Sequence, residues 1–433
     1  MNTRSFILIV IFVIAFNAAV GQPNDSEQKK AGVKTYWFLS GTVVDSEHNT
    51  PLEFASIGVL NRAQGTLTNT SGSFVLRLSS VSQSDTVLIS MIGYTSVKLG
   101  ISENVKDVVI KMTPHMVLLK EVEVTDKRVT IDDIFKQIKS RVKLNYPVED
   151  YSMECFYREI KKSNGTYQSL LEAALVIRDK GYNNLRSVES GFIREVRGSS
   201  TFTNQFSSFW QENNLLKGTL GLNAVRHPSS TPNVFGEDVY QLSGISTLND
   251  KQVYVLVSDI IKNDCWQRTL YVDVETYAIY RSEEVIKNFE VSWKVDGSDS
   301  IYLRLSKGTS VLEFKTFNDK LYLSHIRHDV ENEYFNSLTN KVLERFTIIN
   351  DLLVNDIYED SEEQTDGLKA VENYALELQV TPYNDLFWHQ YNSIKQTPLE
   401  SEIMNDLLKK GTLNDQFKKS SQKTVTRKKG RDQ

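Results

Sequence analysis

Short apolar segments separated by turn residues run through the sequence from Trp37 onward, and this pattern restricts the fold more than any other feature. In the first part of the chain they recur at spacings of about ten residues, which is typical of a β-sandwich rather than of alternating βα units. In one of them Phe74, Leu76 and Leu78 alternate with other residues, so one face of that strand packs inward. The predicted strands are Leu39 to Val44, Phe54 to Leu60, Phe74 to Leu78, Thr86 to Met91, Thr95 to Leu99, Val108 to Met112 and Glu121 to Val124.

A series of turn and strand landmarks falls within residues 36–125. They are Gly41 to Asp45, Pro51-Leu52 with Ala55 to Ile57, Gly65 to Asn69, Gly72 to Phe74, and Ser90 to Tyr94. In this order they resemble the carboxypeptidase-regulatory-like domain, a small transthyretin-like sandwich of many exported proteins of Bacteroidetes-type bacteria, including N-terminal extensions of outer-membrane nutrient transporters. The resemblance implies an accessory module without an active site. We therefore expect structural turn roles for Gly41, Pro51, Gly65, Gly72, Gly93 and Tyr94.

Residues 130–360 predict a helix followed by a large antiparallel sheet. Thr130 can cap a helix with apolar residues at three- and four-residue steps, ending before Pro147. Tyr151 to Ile160 predicts a strand, Ser169 to Ile177 a strand or a buried helical turn, and residues 185–235 give no assignment. Eight further strands predict one strongly curved or half-closed sheet, because a long flat sheet would expose its edges. They are Val239 to Leu248, Gln252 to Ser258, Trp266 to Val272, Tyr277 to Ile286, Glu290 to Val295, Ser310 to Asn318, Leu321 to Asn332 and Lys341 to Asn350.

The hairpin from Thr269 to Ile279 resembles a signature of the lipoprotein-carrier, LolA-like half-barrels. Arg268 stands where that signature usually has glycine. The resemblance implies a carrier that holds a lipid or another hydrophobic ligand on the concave face of the sheet. The predicted fold class is thus mainly β, with an N-terminal transthyretin/Ig-like sandwich, a large curved antiparallel sheet and a few flanking helices.

The C-terminal region combines an acidic stretch, predicted helices and a basic end. Residues 355–366 hold six carboxylates and no basic residue, which predicts a solvated linker, with a calcium site as the alternative. Thr397-Pro398-Leu399-Glu400 has the pattern of a helix start, and residues 383–411 are predicted to form helices that dock on the sheet. Residues 412–433 predict a basic disordered tail, which either contacts anionic lipid or lipopolysaccharide or only aids solubility.

The first 21 residues have the organisation of an export signal. Arg4 precedes an apolar run from Phe6 to Ala15, and small residues at Ala19 to Gly21 predict cleavage between Gly21 and Gln22, followed by a linker over residues 22–35. The run is too short to cross a bilayer about 30 Å thick, and no cysteine stands immediately after the cleavage site. We therefore expect export to the periplasm or the periplasmic face of the outer membrane, without a transmembrane segment in the mature chain.

Composition excludes two broad classes of protein. A length of 433 residues suggests two or three domains. The net charge of −5 gives no basic field of the kind that binds nucleic acid. A hydrophobic fraction of 40%, with 20 Phe, 19 Tyr and 5 Trp, argues against wholesale disorder.

The two cysteines, Cys155 and Cys265, would enter a compartment that permits disulfides. A disulfide between them and two buried thiols that never meet are equally compatible with the sequence. Because they lie far apart without a nearby histidine pair, they make a poor zinc site.

A search for catalytic patterns finds one zinc-peptidase spacing. His328 and Glu331 have the His-x-x-Glu spacing and His389 lies downstream, but residues three apart on a strand point to opposite faces. Metalloprotease, nucleophile-elbow and nucleotide-binding motifs do not occur. We therefore predict an envelope protein that is not an enzyme, with no catalytic residue, metal or cofactor and with a binding or assembly role toward an unidentified envelope protein. The alternatives are a lipid carrier and a zinc metallopeptidase.

Overall fold

The computed structural model describes residues 37–421 with internal gaps. The residues outside it are 1–36, 79–80, 83, 102–103, 116–128, 184–188, 200–205, 207–212, 224, 227–239, 260–265, 288, 290, 360–361, 395–404 and 422–433. The predicted cleavage site at Gly21 and Gln22, the linker over residues 22–35, the strand Glu121 to Val124 and the helix start at Thr397 therefore lie outside the described residues.

Residues 37–112 form the predicted β-sandwich. Its strands are β1 (Trp37–Asp45), β2 (Ser56–Val59), β3 (Gly65–Leu67), β4 (Ser73–Leu78), β5 (Thr86–Ser90), β6 (Val97–Gly100) and β7 (Val105–Met112). One sheet has the order β4-β1-β7, with β1 and β7 parallel, and the other has the order β3-β2-β5-β6. Leu39 and Phe74 of the first sheet pack with Ile57 and Ile89 of the second in one buried core.

Helix α1 (Ile131–Asn145) forms where the sequence predicts it. The Thr130 hydroxyl accepts from the N–H of Asp133 at 3.1 Å, and the Asp133 carboxylate accepts from the N–H of Thr130, which satisfies two free donors of the first turn. Ile134, Phe135 and Ile138 form its buried face. The helix stops before Pro147, as expected for a residue that cannot continue it.

One large antiparallel sheet contains twelve of the described strands. They are β8 (Tyr151–Ser163), β9 (Thr166–Asp179), β10 (Ser190–Gly198), β11 (Tyr240–Leu248), β12 (Lys251–Ser258), β13 (Trp266–Asp273), β14 (Ile279–Ile286), β15 (Ser292–Lys294), β16 (Ile301–Phe317), β17 (Lys320–Asn336), β18 (Lys341–Tyr358) and β19 (Lys369–Ala370). Their order is β11-β12-β13-β14-β16-β17-β18-β8-β9-β10-β19, and β15 pairs with β16. The predicted sheet of later strands is thus extended beyond β18 by β8, β9 and β10, which come earlier in the sequence.

Several strands differ from their predicted bounds because distant partners extend them. Ser169 to Ile177, left open between strand and helix, lies in β9. β16 begins at Ile301, nine residues before the predicted start, because it pairs with β17 along its whole length. β18 runs to Tyr358 by pairing with β8, so the predicted acidic linker from Asn355 starts inside a strand.

The sheet buries both of its faces near β8. Met153, Cys155 and Tyr157 belong to the large core on the face covered by α1, which we call the helix face. Phe156 and Ile160 point the other way, toward what we call the opposite face. The sandwich and the C-terminal segment pack on this opposite face.

The helices outside α1 are short. Within the unassigned residues 185–235 the structure places β10 and helix α2 (Leu215–Gly221), and α3 (Asp385–Gln390) lies in the region 383–411 where helices are predicted. None of the helices among the described residues has the length and apolar character needed to traverse a bilayer.

The predicted disordered tail from residue 412 is wrong for its first part. Residues 413–421 form a helix, α4, in which Leu413 and Phe417 pack against Tyr167 and Leu170 on the opposite face. The basic composition that suggested disorder is outweighed by this buried contact. Residues 422–433 lie outside the described part of the chain.

Candidate functional site

A cleft between the sandwich and the large sheet is the candidate binding site. One wall comes from β2, β3 and β5, and the other from β14, β16, β17 and β18 together with the turn between β11 and β12. Its volume is about 300 Å³. This is the lower end of the range for small-molecule pockets, roughly 300–1,000 Å³. We call it the cleft.

Apolar and polar contacts fasten the two walls. Leu67 of the sandwich packs against Phe156 and Leu353 of the sheet in one buried cluster. Burying a leucine of this kind stabilises a contact by about 1.5–3 kcal/mol. Nearby, the Gln64 side-chain amide donates a hydrogen bond to Asp356 Oδ2 at 2.8 Å. The cleft is therefore bounded by parts of the molecule that are held in a fixed relation.

Lys315 is a half-buried cation at this junction. Its ammonium group donates to the carbonyl oxygen of Val354 at 3.0 Å and to that of Ala63 in the sandwich. Burial lowers the pKa of Lys315 to about 8, although the charge of Asp356 acts in the opposite direction. A lysine with a shifted pKa in the wall of a cleft is a common mark of a functional site.

The remaining lining is mixed in character. Leu60 keeps 42% of its surface exposed at the mouth, an apolar contact surface for a ligand. Arg62 is paired with Asp85 at 2.7 Å, and Lys251 donates to the hydroxyl of Tyr280 at 3.1 Å. Since these charges already have partners, the cleft suits an amphipathic molecule better than a highly charged one.

We expect Lys315→Met to remove a pH dependence of stability above pH 8. In the folded protein the Lys315 pKa is about 8, against 10.5 for an ordinary lysine. Between these values the unfolded chain binds more protons, so the wild-type free energy of unfolding rises with pH, by up to about 3 kcal/mol from this group. Urea unfolding from pH 7 to 10.5 measures the rise. The control variant Lys307→Met, at an exposed position on the same strand, should keep the rise in the free energy of unfolding. An unchanged rise in Lys315→Met would contradict the lowered pKa of Lys315.

Two of the predicted turn glycines, Gly41 and Gly72, occupy positions where a side chain would overlap backbone. A Cβ on Gly41 would overlap the carbonyl oxygen of Val108 on the parallel neighbour β7. Gly72 and Gly93 have φ of +69° and +77°, in the left-handed region that favours glycine. Of these glycines, Gly65 also lines the cleft.

The other two landmarks brace the same end of the sandwich. Pro51 forms an isolated bridge with Val44 beside the end of β1. The Tyr94 hydroxyl donates to Asp45 Oδ2 at 3.0 Å. Both contacts are structural, and neither residue lines the cleft.

The possible disulfide stays a prediction. Cys155 is fully buried on the helix face, where burial raises the pKa of its thiol well above the ordinary value. Cys265 lies outside the described residues.

The residues with zinc-peptidase spacing are not brought together. His328 and Glu331 both lie on β17, three residues apart and hence on opposite faces. His328 Nδ1 lies 2.7 Å from Ser310 Oγ, and burial lowers its pKa to about 4. His389 is exposed on α3, 3.4 Å from Asp385. Among the described residues, no three His, Cys, Asp or Glu side chains are grouped so that they could hold a metal ion.

The cleft and Lys315 could not be predicted from the sequence. Apolar and polar residues alternate from Leu312 to Lys315, so Lys315 has the pattern of an ordinary solvent-facing strand residue. It is half-buried because the sandwich, a distant part of the chain, docks on this strand.

Comparison with known families identifies the N-terminal domain. Residues 39–124 match the model of the CarboxypepD_reg-like domain. This agrees with the resemblance of the turn landmarks and with the sandwich. Among curated proteins, no relative of this chain was found.

Among solved structures, a putative outer membrane lipoprotein-sorting protein domain from Vibrio parahaemolyticus has 11% identity and a TM-score of 0.23, covering 55% of this chain and 97% of its own. A LolA superfamily protein from Nitrosomonas europaea has 12% identity and a TM-score of 0.18, covering 53% and 95%. The Pseudomonas aeruginosa MucA/MucB complex has 8% identity and a TM-score of 0.18, and the match covers 56% of this chain and 99% of the matched chain. These include the LolA group that the Thr269–Ile279 hairpin resembles, but TM-scores this low support no conclusion about this chain.

Proposed function

We propose that this protein is an exported component of the cell envelope that is not an enzyme and that binds a small amphipathic molecule in the cleft. The observation that carries the proposal is the cleft itself, a cavity of about 300 Å³ with walls from both the sandwich and the sheet. The half-buried Lys315 and the exposed Leu60 in its lining offer a polar and an apolar contact.

The proposed location rests on the N-terminal sequence and on the matched domain. Residues 1–21 have the organisation of an export signal. Residues 39–124 match the CarboxypepD_reg-like domain, and the resemblance to this family implies an accessory module of an exported protein. A protein in the periplasm or at the periplasmic face of the outer membrane would meet envelope lipids, their precursors and nutrients, all of which include amphipathic molecules.

A cleft-filling variant tests the binding site. Gly58 lines the cleft, and a Cβ there would make only an ordinary 3.5 Å contact with the carbonyl oxygen of Gln64. Gly58→Trp should therefore fold and occupy the cavity. We expect wild-type protein purified from its native envelope to release a stoichiometric small molecule on organic extraction, detected by mass spectrometry, and Gly58→Trp to release at least about tenfold less, a loss of roughly 1.4 kcal/mol in binding.

The matched control is Gly100→Trp. Gly100 is an exposed glycine in the same sheet of the sandwich, with no neighbouring heavy atom within 4 Å of a Cβ. This variant should release as much ligand as wild type. Absence of any stoichiometric molecule from wild type would contradict the proposal. A lipid that Gly58→Trp retains would instead place the ligand outside the cleft and favour the carrier function.

A further inference from the structure

A second pocket, separate from the cleft, lies where the C-terminal segment crosses β4, β8, β9 and β10. Its volume is about 280 Å³. Three arginines line it, namely Arg77 from β4, Arg158 from β8 and Arg197 from β10. Glu172 from β9 and Trp388 from α3 complete its inner part. We call it the arginine pocket.

Two of the arginines are held by one buried carboxylate. Arg158 donates from Nε and Nη2 to Glu172 Oε1 at 2.9 and 2.8 Å. Arg197 donates from Nε to Glu172 Oε2 at 2.7 Å. Burial by itself raises the pKa of Glu172, but the charges of Arg197 and Arg158 outweigh it and hold the pKa at about 2. The carboxylate therefore stays ionised and offsets only one of the two positive charges.

Arg77 differs from the other two because its side chain lacks a counter-charge. Its backbone N–H and carbonyl group are both bonded to the Asn392 side chain, which fixes the residue at the pocket wall. Among the described residues, no carboxylate pairs with its guanidinium group. Burial alone lowers the pKa of Arg77. A half-buried cation without a partner costs folding free energy, which a bound anion would recover.

Trp388 forms part of the lining beside Arg197. Its indole ring lies 4.2 Å from the Arg197 guanidinium in a cation–π contact. The Nε1–H group is buried and, within the described part of the chain, has no acceptor. The unpaired cation Arg77 in the same lining calls for an acceptor with negative charge.

We propose that the arginine pocket binds an oxyanion, a carboxylate or phosphate group of a small molecule, through Arg77. The lining holds three arginines and two carboxylates, Glu172 and Asp385. With histidine counted as neutral, it carries one net positive charge. The planar fork of Arg77 can bind such a group through two parallel hydrogen bonds. The site differs from the cleft in position and in ligand chemistry, and its test does not depend on the proposed function.

The test measures ligand-induced thermal stabilisation of the full chain. Inorganic phosphate, glycerol 3-phosphate and citrate are added separately and compared with sodium chloride at the same ionic strength. A ligand that binds only the folded state raises the unfolding temperature, so we expect a rise with the two phosphates or with citrate. A response to the phosphates identifies a phosphate site, and a response to citrate identifies a carboxylate site. Arg77→Gln should abolish the rise and weaken binding, measured by calorimetry, by about 10- to 100-fold.

Two further variants keep the result interpretable. Arg141→Gln removes the same charge from a half-buried position on α1, which covers the helix face, and it should keep the full rise. Arg77→Lys retains the charge without the fork and should bind with intermediate affinity. No rise with any of the three anions in wild type, or an equal rise in Arg77→Gln, would overturn the proposal.

Discussion

Replacing Glu172 with glutamine should lower the free energy of unfolding by about 3–5 kcal/mol at pH 7, because breaking a buried ion pair leaves uncompensated charge in the interior. Glu172 is 1% exposed and is bonded to both Arg158 and Arg197. Glutamine keeps the shape of the side chain but removes the negative charge. Urea unfolding of wild type and variant at pH 7 gives the difference directly.

The same substitution should have a smaller effect in acid. The pKa of Glu172 is about 2 in the folded protein, against 4.5 ordinarily. Below 4.5 the unfolded chain takes up a proton that the folded chain does not bind, so the stabilisation by ionised Glu172 falls as pH drops from 4.5 toward 2. The difference between wild type and Glu172→Gln should therefore be full at pH 5 and above and should narrow toward pH 2.

A second carboxylate with two arginine partners provides the control. Glu333 is bonded to Arg304 and Arg345, but Arg345 keeps half of its side chain exposed. Because water can solvate the arginine left behind, Glu333→Gln should cost only about 1 kcal/mol or less. If Glu172→Gln lowers the free energy of unfolding no more than Glu333→Gln does, burial does not make the ion pairs of Glu172 more stabilising.

The parts of the fold that the sequence predicts are those with a local, periodic signal. Helix α1 follows from the Thr130 cap and the spacing of Ile134, Phe135 and Ile138, all within one helix. The start of β16 at Ile301 was missed because its first residues are paired with β15 and β17, and this pairing is absent from the local pattern. Helix α4 did have a local signal: Thr412 accepts from the N–H of Asp415 as a cap, and Leu413 and Phe417 lie one turn apart.

Neither the cleft nor the arginine pocket could be predicted in this way. Lys315 and Arg77 each occupy an alternating strand where a charged residue is ordinarily solvent-facing. Each is half-buried because a distant segment covers it: the sandwich covers Lys315, and Asn392 of the C-terminal segment crosses Arg77. The resemblance to the carboxypeptidase-regulatory-like domain located the sandwich, but it contains no information on the surface that the sandwich covers. Polar groups that tertiary contacts bury are therefore the positions at which sequence patterns fail here.

Gly72→Ala should lower the free energy of unfolding by about 2–5 kcal/mol, because the position carries two separate penalties. Its φ of +69° is left-handed, which costs a residue with a Cβ about 1–2 kcal/mol. The Cβ would also overlap the carbonyl oxygen of Val43 on β1, and overpacking of this kind costs about 1–3 kcal/mol. Since Val43 N–H donates to Gly72 O at 2.8 Å, a shift of either residue strains the β1–β4 connection.

Gly93→Ala separates the two penalties. Gly93 has a similar φ of +77°, but no heavy atom lies within 4 Å of its Cβ position. This variant should therefore cost only the conformational part, about 1–2 kcal/mol. Urea unfolding of both variants yields the overlap energy as their difference. Equal losses of stability would mean that backbone strain alone makes glycine necessary at position 72. In that case β1 could move to make room for a methyl group without losing its contacts with the turn.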